Sequence, residues 1–206
     1  MPYRKSRYTR KTAKRVYVKP KTNWTLARLT AAGQCNGPSK NSSGQYDGPR
    51  VCTYGVNELV RANADTNTMA GMTKKIKHMK VEISRSFVAA NEVLHKSLIK
   101  MKAYLMYIPQ GLSFTTKYDT TTGLALTLAN HPEWVLAEKT LNCNYSNTAF
   151  TVSNQTLSCR LAKNLRSGDS LVCVIAAYFN TATLGSTDLS NHAIPYNLEY
   201  TWAQAM

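Results

Sequence analysis

Tyr196-Asn197-Leu198-Glu199-Tyr200-Thr201-Trp202 alternates apolar and polar side chains without a break. A period of two puts one set of side chains on a buried face and the other in solvent, which is the pattern of a half-buried β-strand. The same alternation recurs upstream. Leu157, Cys159 and Leu161 interleave with Thr156, Ser158 and Arg160, and Met79, Val81 and Ile83 interleave with Lys80, Glu82 and Ser84.

Two further runs depart from this pattern. Ile99-Lys100-Met101-Lys102 begins by alternating, but the chain from Ala103 to Ile108 is apolar on both faces and stops at Pro109. Leu171 to Phe179 is apolar on both faces throughout. The outer face of an antiparallel sandwich should be polar, so these runs predict a second covering surface, either a loop or a neighbouring subunit. Residues 23–27, 50–56 and 134–137 are shorter strand candidates. Turn-rich loops are expected at 35–48, 111–130, 142–147 and 180–195, and Ser167-Gly168-Asp169 reads as a tight turn. Residues 58–63 fit a short helix, and 91–98 fit either a helix or a loop. The sum is an all-β chain of about eight short strands. A two-sheet jelly roll matches that count better than a seven-stranded immunoglobulin-like sandwich or a five-stranded OB-fold barrel.

The charge is divided along the chain. Of 26 Lys and Arg, eleven lie in residues 1–46, where there is no acidic residue, and all eleven Asp and Glu begin at Asp47. The formal net charge is +15, most of it carried by the first quarter of the chain. Residues 1–21 hold nine basic residues and few apolar ones, too little to offset the entropy of ordering them. They are expected to form an arm that is disordered when free, hinged at Pro20, ahead of a folded domain at 22–206. A solubility tail would be acidic or mixed in sign. A mitochondrial transit peptide would need an apolar helical stripe that is missing here.

A cationic arm on a mildly basic body points to a polyanion. The candidate nucleic-acid-binding residues are Arg4, Lys5, Arg7, Tyr8, Arg10, Lys11, Lys14, Arg15, Tyr17, Lys19 and Lys21, with Tyr3 beside them. The cations neutralise phosphates and release condensed counterions whatever the base sequence. The tyrosines offer faces on which unpaired bases stack, which favours single strands over duplex. The same basic run also reads as a nuclear import signal.

The sequence holds no G-x-S-x-G, H-E-x-x-H, phosphate-binding glycine loop or G-x-G-x-x-G. His78, His95, His131 and His192 are widely spaced, and the acids form no conspicuous pair. The expectation is a protein that is not an enzyme and has no metal or cofactor. The five cysteines are odd in number and include no C-x-x-C, so a reduced compartment is the default. Four matches to the glycosylation pattern, at Asn23, Asn41, Asn144 and Asn154, read as chance in a chain without a signal peptide. The longest apolar run is too short to cross a bilayer as a helix.

Three stretches carry a resemblance. They are Tyr107-Ile108-Pro109-Gln110-Gly111, His131-Pro132-Glu133-Trp134-Val135-Leu136-Ala137, and Leu161-Ala162-Lys163-Asn164-Leu165-Arg166-Ser167-Gly168-Asp169. Taken in this order they resemble strand ends, strand starts and turns in the coat proteins of small circular Rep-encoding single-stranded DNA viruses, a group that includes circovirus-, nanovirus- and geminivirus-like members. The chain departs from the usual pattern at Gln110, where Glu is common, and at Lys163, where Arg is common.

The resemblance implies an eight-stranded capsid-type jelly roll with strands near 23–32, 50–56, 76–84, 98–108, 134–141, 156–161, 170–179 and 196–203. It implies a homo-oligomer of about 60 copies closing into an icosahedral shell of the smallest (T=1) geometry, with arms on single-stranded DNA inside. It also implies a virion protein that passes through the host nucleus or cytoplasm during assembly. Two alternatives remain open at this point: a satellite-type coat around RNA, and a monomeric single-strand-binding module.

Overall fold

The computed structural model describes residues 23–61, 74–85, 91–110, 123–142, 153–166, 168–184 and 188–205. Eight strands run through them: β1 (Trp24–Asn36), β2 (Arg50–Arg61), β3 (Lys74–Arg85), β4 (Leu98–Ile108), β5 (Val135–Leu141), β6 (Ser153–Leu165), β7 (Ser170–Asn180) and β8 (Ala193–Ala205). They form two four-stranded sheets, in the order β1-β8-β3-β6 and β2-β7-β4-β5, and every pairing is antiparallel. Consecutive strands mostly change sheet, and the last strand sits between the first and the third. This is the jelly-roll topology. Each expected strand overlaps an observed one.

The alternating strands build the space between the sheets. Met79, Val81 and Ile83 from β3 and Leu198, Tyr200 and Trp202 from β8 meet Met101, Ala103 and Leu105 from β4 and Leu171, Cys173, Ile175 and Phe179 from β7, all buried in one cluster. Cys35 and Cys173 lie in it with 0% exposure, and burial pushes both thiols up to about 12. They behave as small apolar side chains.

The two-sided apolar strands are explained by a second layer supplied by the chain itself. On the outer side of the second sheet, Tyr104, Met106, Ile108, Val172, Val174 and Ala176 are buried against Leu124 and Trp134. Leu124 belongs to α2 (Gly123–Asn130), and Trp134 ends a 3-10 turn at Pro132–Trp134. Both lie in the connection from β4 to β5, so the expected cover is a loop here and no neighbouring subunit is needed at these positions.

Five local readings change or resolve. Residues 58–61 continue β2 as strand, because Leu59 and Val60 are buried and Glu58 pairs with Val172 before a register shift. The end of the expected 111–130 loop is helical: Gly-Leu-Ala-Leu-Thr-Leu-Ala-Asn is rich in good helix formers, and Leu124, Thr127 and Leu128 share one inward stripe. The open choice at 91–98 resolves as the short helix α1 (Glu92–Ser97), with Leu94 fully buried. A one-turn helix, α3 (Thr181–Leu184), interrupts the last expected loop, and Trp134 precedes β5 instead of starting it.

Candidate nucleic-acid interface

Arg4, Lys5, Arg7, Tyr8, Arg10, Lys11, Lys14, Arg15, Tyr17, Lys19 and Lys21 lie outside the described residues. What the fold fixes is the place where that arm joins the body. Asn23 is exposed, and β1 begins at Trp24 on the edge of the first sheet, paired along its whole length with β8 from Trp24↔Ala205 to Asn36↔Ala193.

The register lays out the outer face of this sheet row by row. Trp24 and Ala205 stand at its end, and Leu26, Ala203, His78 and Arg160 form the first row that crosses all four strands. Arg28, Thr201, Lys80 and Ser158 form the next, and Thr30, Glu199, Glu82 and Thr156 the one after. A register shift between Ile76 and His78 makes Lys77 an extra residue in β3, so Lys77 and His78 are both exposed. The Lys77 ammonium lies 5.5 Å from the centre of the Trp24 ring, reaching it across β8 where Ala203 keeps the surface low. Arg160 is exposed beside His78. In the same corner the backbones of Lys74 and Lys75 pair with Leu165 and Asn164, and that of Ile76 with Lys163.

Charge therefore changes sign along the face. The end next to the arm presents cations and two open apolar side chains, Trp24 at 39% and Leu26 at 75% exposure. The acids begin two rows further on, where Glu82 and Glu199 stand directly opposite one another. Like charges in that position repel, and each is countered: Lys80 pairs with Glu82, and Arg28 with Glu199. The hydrogen bond from Lys80, and then its charge, hold the Glu82 carboxyl below its usual range. Those two charges are thus paired locally, while among the described residues no carboxylate shares the row of Arg160 and His78, next to which Lys77 bulges.

The motifs that carry the family resemblance have structural work instead. His131 stacks on Trp134 with ring centres 4.0 Å apart and planes 4° from parallel, and its Nδ1 is 3.2 Å from Glu133 Oε1. This fixes the turn that drives Trp134 onto the second sheet. Asp169 is buried at 2% exposure and accepts hydrogen bonds from the Tyr107 hydroxyl at 2.8 Å, the Gln110 amide at 2.9 Å and the Arg166 amide at 2.7 Å. Among the described residues no three His, Cys, Asp or Glu side chains converge as metal ligands would, and no helix is long and apolar enough to cross a membrane.

Trp24, Lys77, His78 and Arg160 were not singled out by reading the sequence for binding. One signal was available: Lys74-Lys75-Ile76-Lys77-His78-Met79-Lys80 packs four lysines and a histidine into seven positions with no acid. The convergence of Trp24 and Arg160 on that run was not available, because it depends on which strands neighbour β3.

No family model matches the chain, and no curated protein sequence matches it. Similar solved structures include the decameric BFDV capsid protein, 13% identical with a TM-score of 0.41 over 89% of this chain and 99% of that one. The Mud crab tombus-like virus is similar at 9% identity and a TM-score of 0.41, over 100% of this chain and 91% of that one. A chain of the cyanophage Pam1 capsid is similar at 10% identity and a TM-score of 0.34, over 100% of this chain and 99% of that one. The fold assignment rests on the strand order itself and not on these likenesses.

Proposed function

We propose that this chain is a viral capsid protein that has no enzymatic activity and packages single-stranded DNA. Its copies close into a small icosahedral shell with the basic arms directed inward. The observation that carries the reading is the joining of two features at one corner. A jelly roll of the β1-β8-β3-β6 and β2-β7-β4-β5 order begins, at Trp24, where a leader with nine cations in 21 residues enters a cationic end of the sheet. The fold alone is shared by capsid, lectin and cupin domains and decides nothing about function. The leader's charge is what supports a polyanion as cargo.

In a shell of 60 copies the arms bring on the order of 540 positive charges to the interior, enough to neutralise a substantial part of a small genome. Three tyrosines among the cations favour an unpaired strand, and the leader doubles as a nuclear import signal in the host. The protein then resides in the virion, after assembly in the host nucleus or cytoplasm.

Sedimentation and electron microscopy of the purified full chain test the proposal. Megadalton particles holding nuclease-protected nucleic acid are expected, with the content digested by DNase once released. A species that stays near the 22.9 kDa of one chain and ignores polyanions at low salt overturns it. Protected RNA in place of DNA keeps the coat and reassigns the cargo.

A further inference from the structure

We infer that Trp24, Leu26, Lys77, His78 and Arg160 form a binding site on the folded domain for an unpaired nucleotide, with the base stacked on the Trp24 indole. The inference rests on the coat-protein reading and deepens it: beyond the arm's diffuse charge, the body contributes a built contact for a single strand.

Three observations meet here. First, Trp24 is a large aromatic left 39% exposed on the outer face of a sheet, while Trp134 and Trp202 are buried at 4% and 5%. Exposing an indole leaves apolar surface in water, and Leu26, its neighbour two residues on along the same face, is 75% exposed. Residues i and i+2 on a strand stand about 6.7 Å apart, so the two side chains make one short apolar ledge. Second, the ledge is bordered by charge of one sign. Lys77 reaches the indole, His78 and Arg160 continue the row of Leu26, and on this face the first carboxylates among the described residues, Glu199 and Glu82, lie two rows beyond Leu26 in ion pairs with Arg28 and Lys80. Third, the sequence's densest run of cations ends at Lys21, three positions before Trp24, so it is joined to this ledge by the shortest of connections.

That combination suits one ligand chemistry. An aromatic face takes any base once its faces are free, and cations at the ledge take the phosphates that flank it. A duplex keeps its base faces stacked inside and can use only the cations. An apolar peptide would leave Lys77 and Arg160 without counter-charges, and a simple polyanion would leave the indole unused.

Fluorescence of the full chain, freed of nucleic acid, tests the site with three probes of equal length: oligodeoxythymidylate, an abasic deoxyribose-phosphate oligomer and a duplex. Because the other two tryptophans are buried, quenching reports mainly on Trp24. Oligodeoxythymidylate is expected to quench, whereas the abasic oligomer and the duplex bind through charge without comparable quenching. Trp24→Ala should lose the quenching and bind oligodeoxythymidylate on the order of 5- to 150-fold more weakly, the range for losing one stacked base, and Trp24→Phe should restore most of the affinity.

Equal binding of thymidylate and abasic oligomers with no quenching in the wild-type chain overturns the stacking site, and does so without any variant. It leaves the coat-protein reading intact, because particles with protected nucleic acid report that separately. Unchanged oligonucleotide affinity in Trp24→Ala, together with lost particle assembly, would assign the indole to a contact between copies and equally overturn the site.

Discussion

The Tyr107 hydroxyl donates to Asp169 Oδ2 across a bond of 2.8 Å, joining the end of β4 to the turn before β7, 62 positions away in the chain. The same carboxylate takes the Gln110 and Arg166 amides, and Gly168, at φ +87°, brings the turn so close that a Cβ there would stand 2.7 Å from Gln110 Cγ. Two of the three stretches that carry the family resemblance are therefore one structural unit. A buried carboxylate with three donors is well satisfied, and removing it takes the shared acceptor from three part-buried donors at once.

Asp169→Ala should accordingly destabilise the fold by about 3 kcal/mol, because hydrogen bonds to a charged group contribute about 1.5–3 kcal/mol each and are not additive. Tyr107→Phe, which removes one donor together with its need, should cost about 1–2 kcal/mol. Urea unfolding of both variants checks the order, and equal midpoints for Asp169→Ala and wild type would contradict the account.

Trp134→Ala should cost about 3–5 kcal/mol by opening the outer side of the second sheet, where Val172, Val174 and Ala176 depend on its cover. Leu124→Ala should cost about 2–5 kcal/mol for the same reason. Both variants are expected to gain binding of an apolar dye while keeping their strand content by circular dichroism. A Trp134→Ala protein as stable as wild type would mean that something else covers the sheet.

The strands were readable from the sequence because each has one face in the core, and period two survives wherever burial is one-sided. β3 and β8 show this directly. β7 was also readable as a strand, but what covers it was not. Its apolar outer side calls for a partner, and only tertiary contact reveals that α2 and Trp134 supply it. The short helices α2 and α3 were hidden for a related reason. Eight and four residues are too few for a clear 3.6-residue period, and their stability comes from docking on the sheets. The candidate interface was half visible. The arm's charge is local in sequence, whereas the meeting of Trp24, Lys77 and Arg160 depends on the order of strands in the sheet.

Gly55→Ala should be among the more damaging conservative changes, costing about 1–3 kcal/mol through overpacking. A Cβ at this position would press on the Tyr196 hydroxyl and lie 2.6 Å from the Gln34 carbonyl, which is backbone and cannot swing aside. Tyr196 is held in place by its 2.7 Å bond to Asn57 Oδ1. A thermal midpoint unchanged in Gly55→Ala would show that the corner between β1 and β2 is looser than this.

His95, on α1, is buried at 5% exposure, and burial, followed by the charge of Arg85, pushes its imidazole down from the ordinary 6.5 to about 4. A group whose folded value is depressed favours the fold when neutral. That contribution is fully present above pH 6.5 and is lost as pH falls toward 4. Unfolding midpoints should therefore drop between pH 6.5 and 5, above the range in which exposed carboxylates titrate, and His95→Gln should flatten that slope. An unchanged slope in the variant would locate the acid sensitivity elsewhere.

Among the described residues β8 is the only strand paired with β1, and it follows every other described strand in the sequence. β1 therefore has no sheet partner to pair with until β8, far along the sequence, has been made. Removing β8 would therefore take away the one neighbour shared by β1 and β3, and would split the first sheet at the corner where Trp24 enters it.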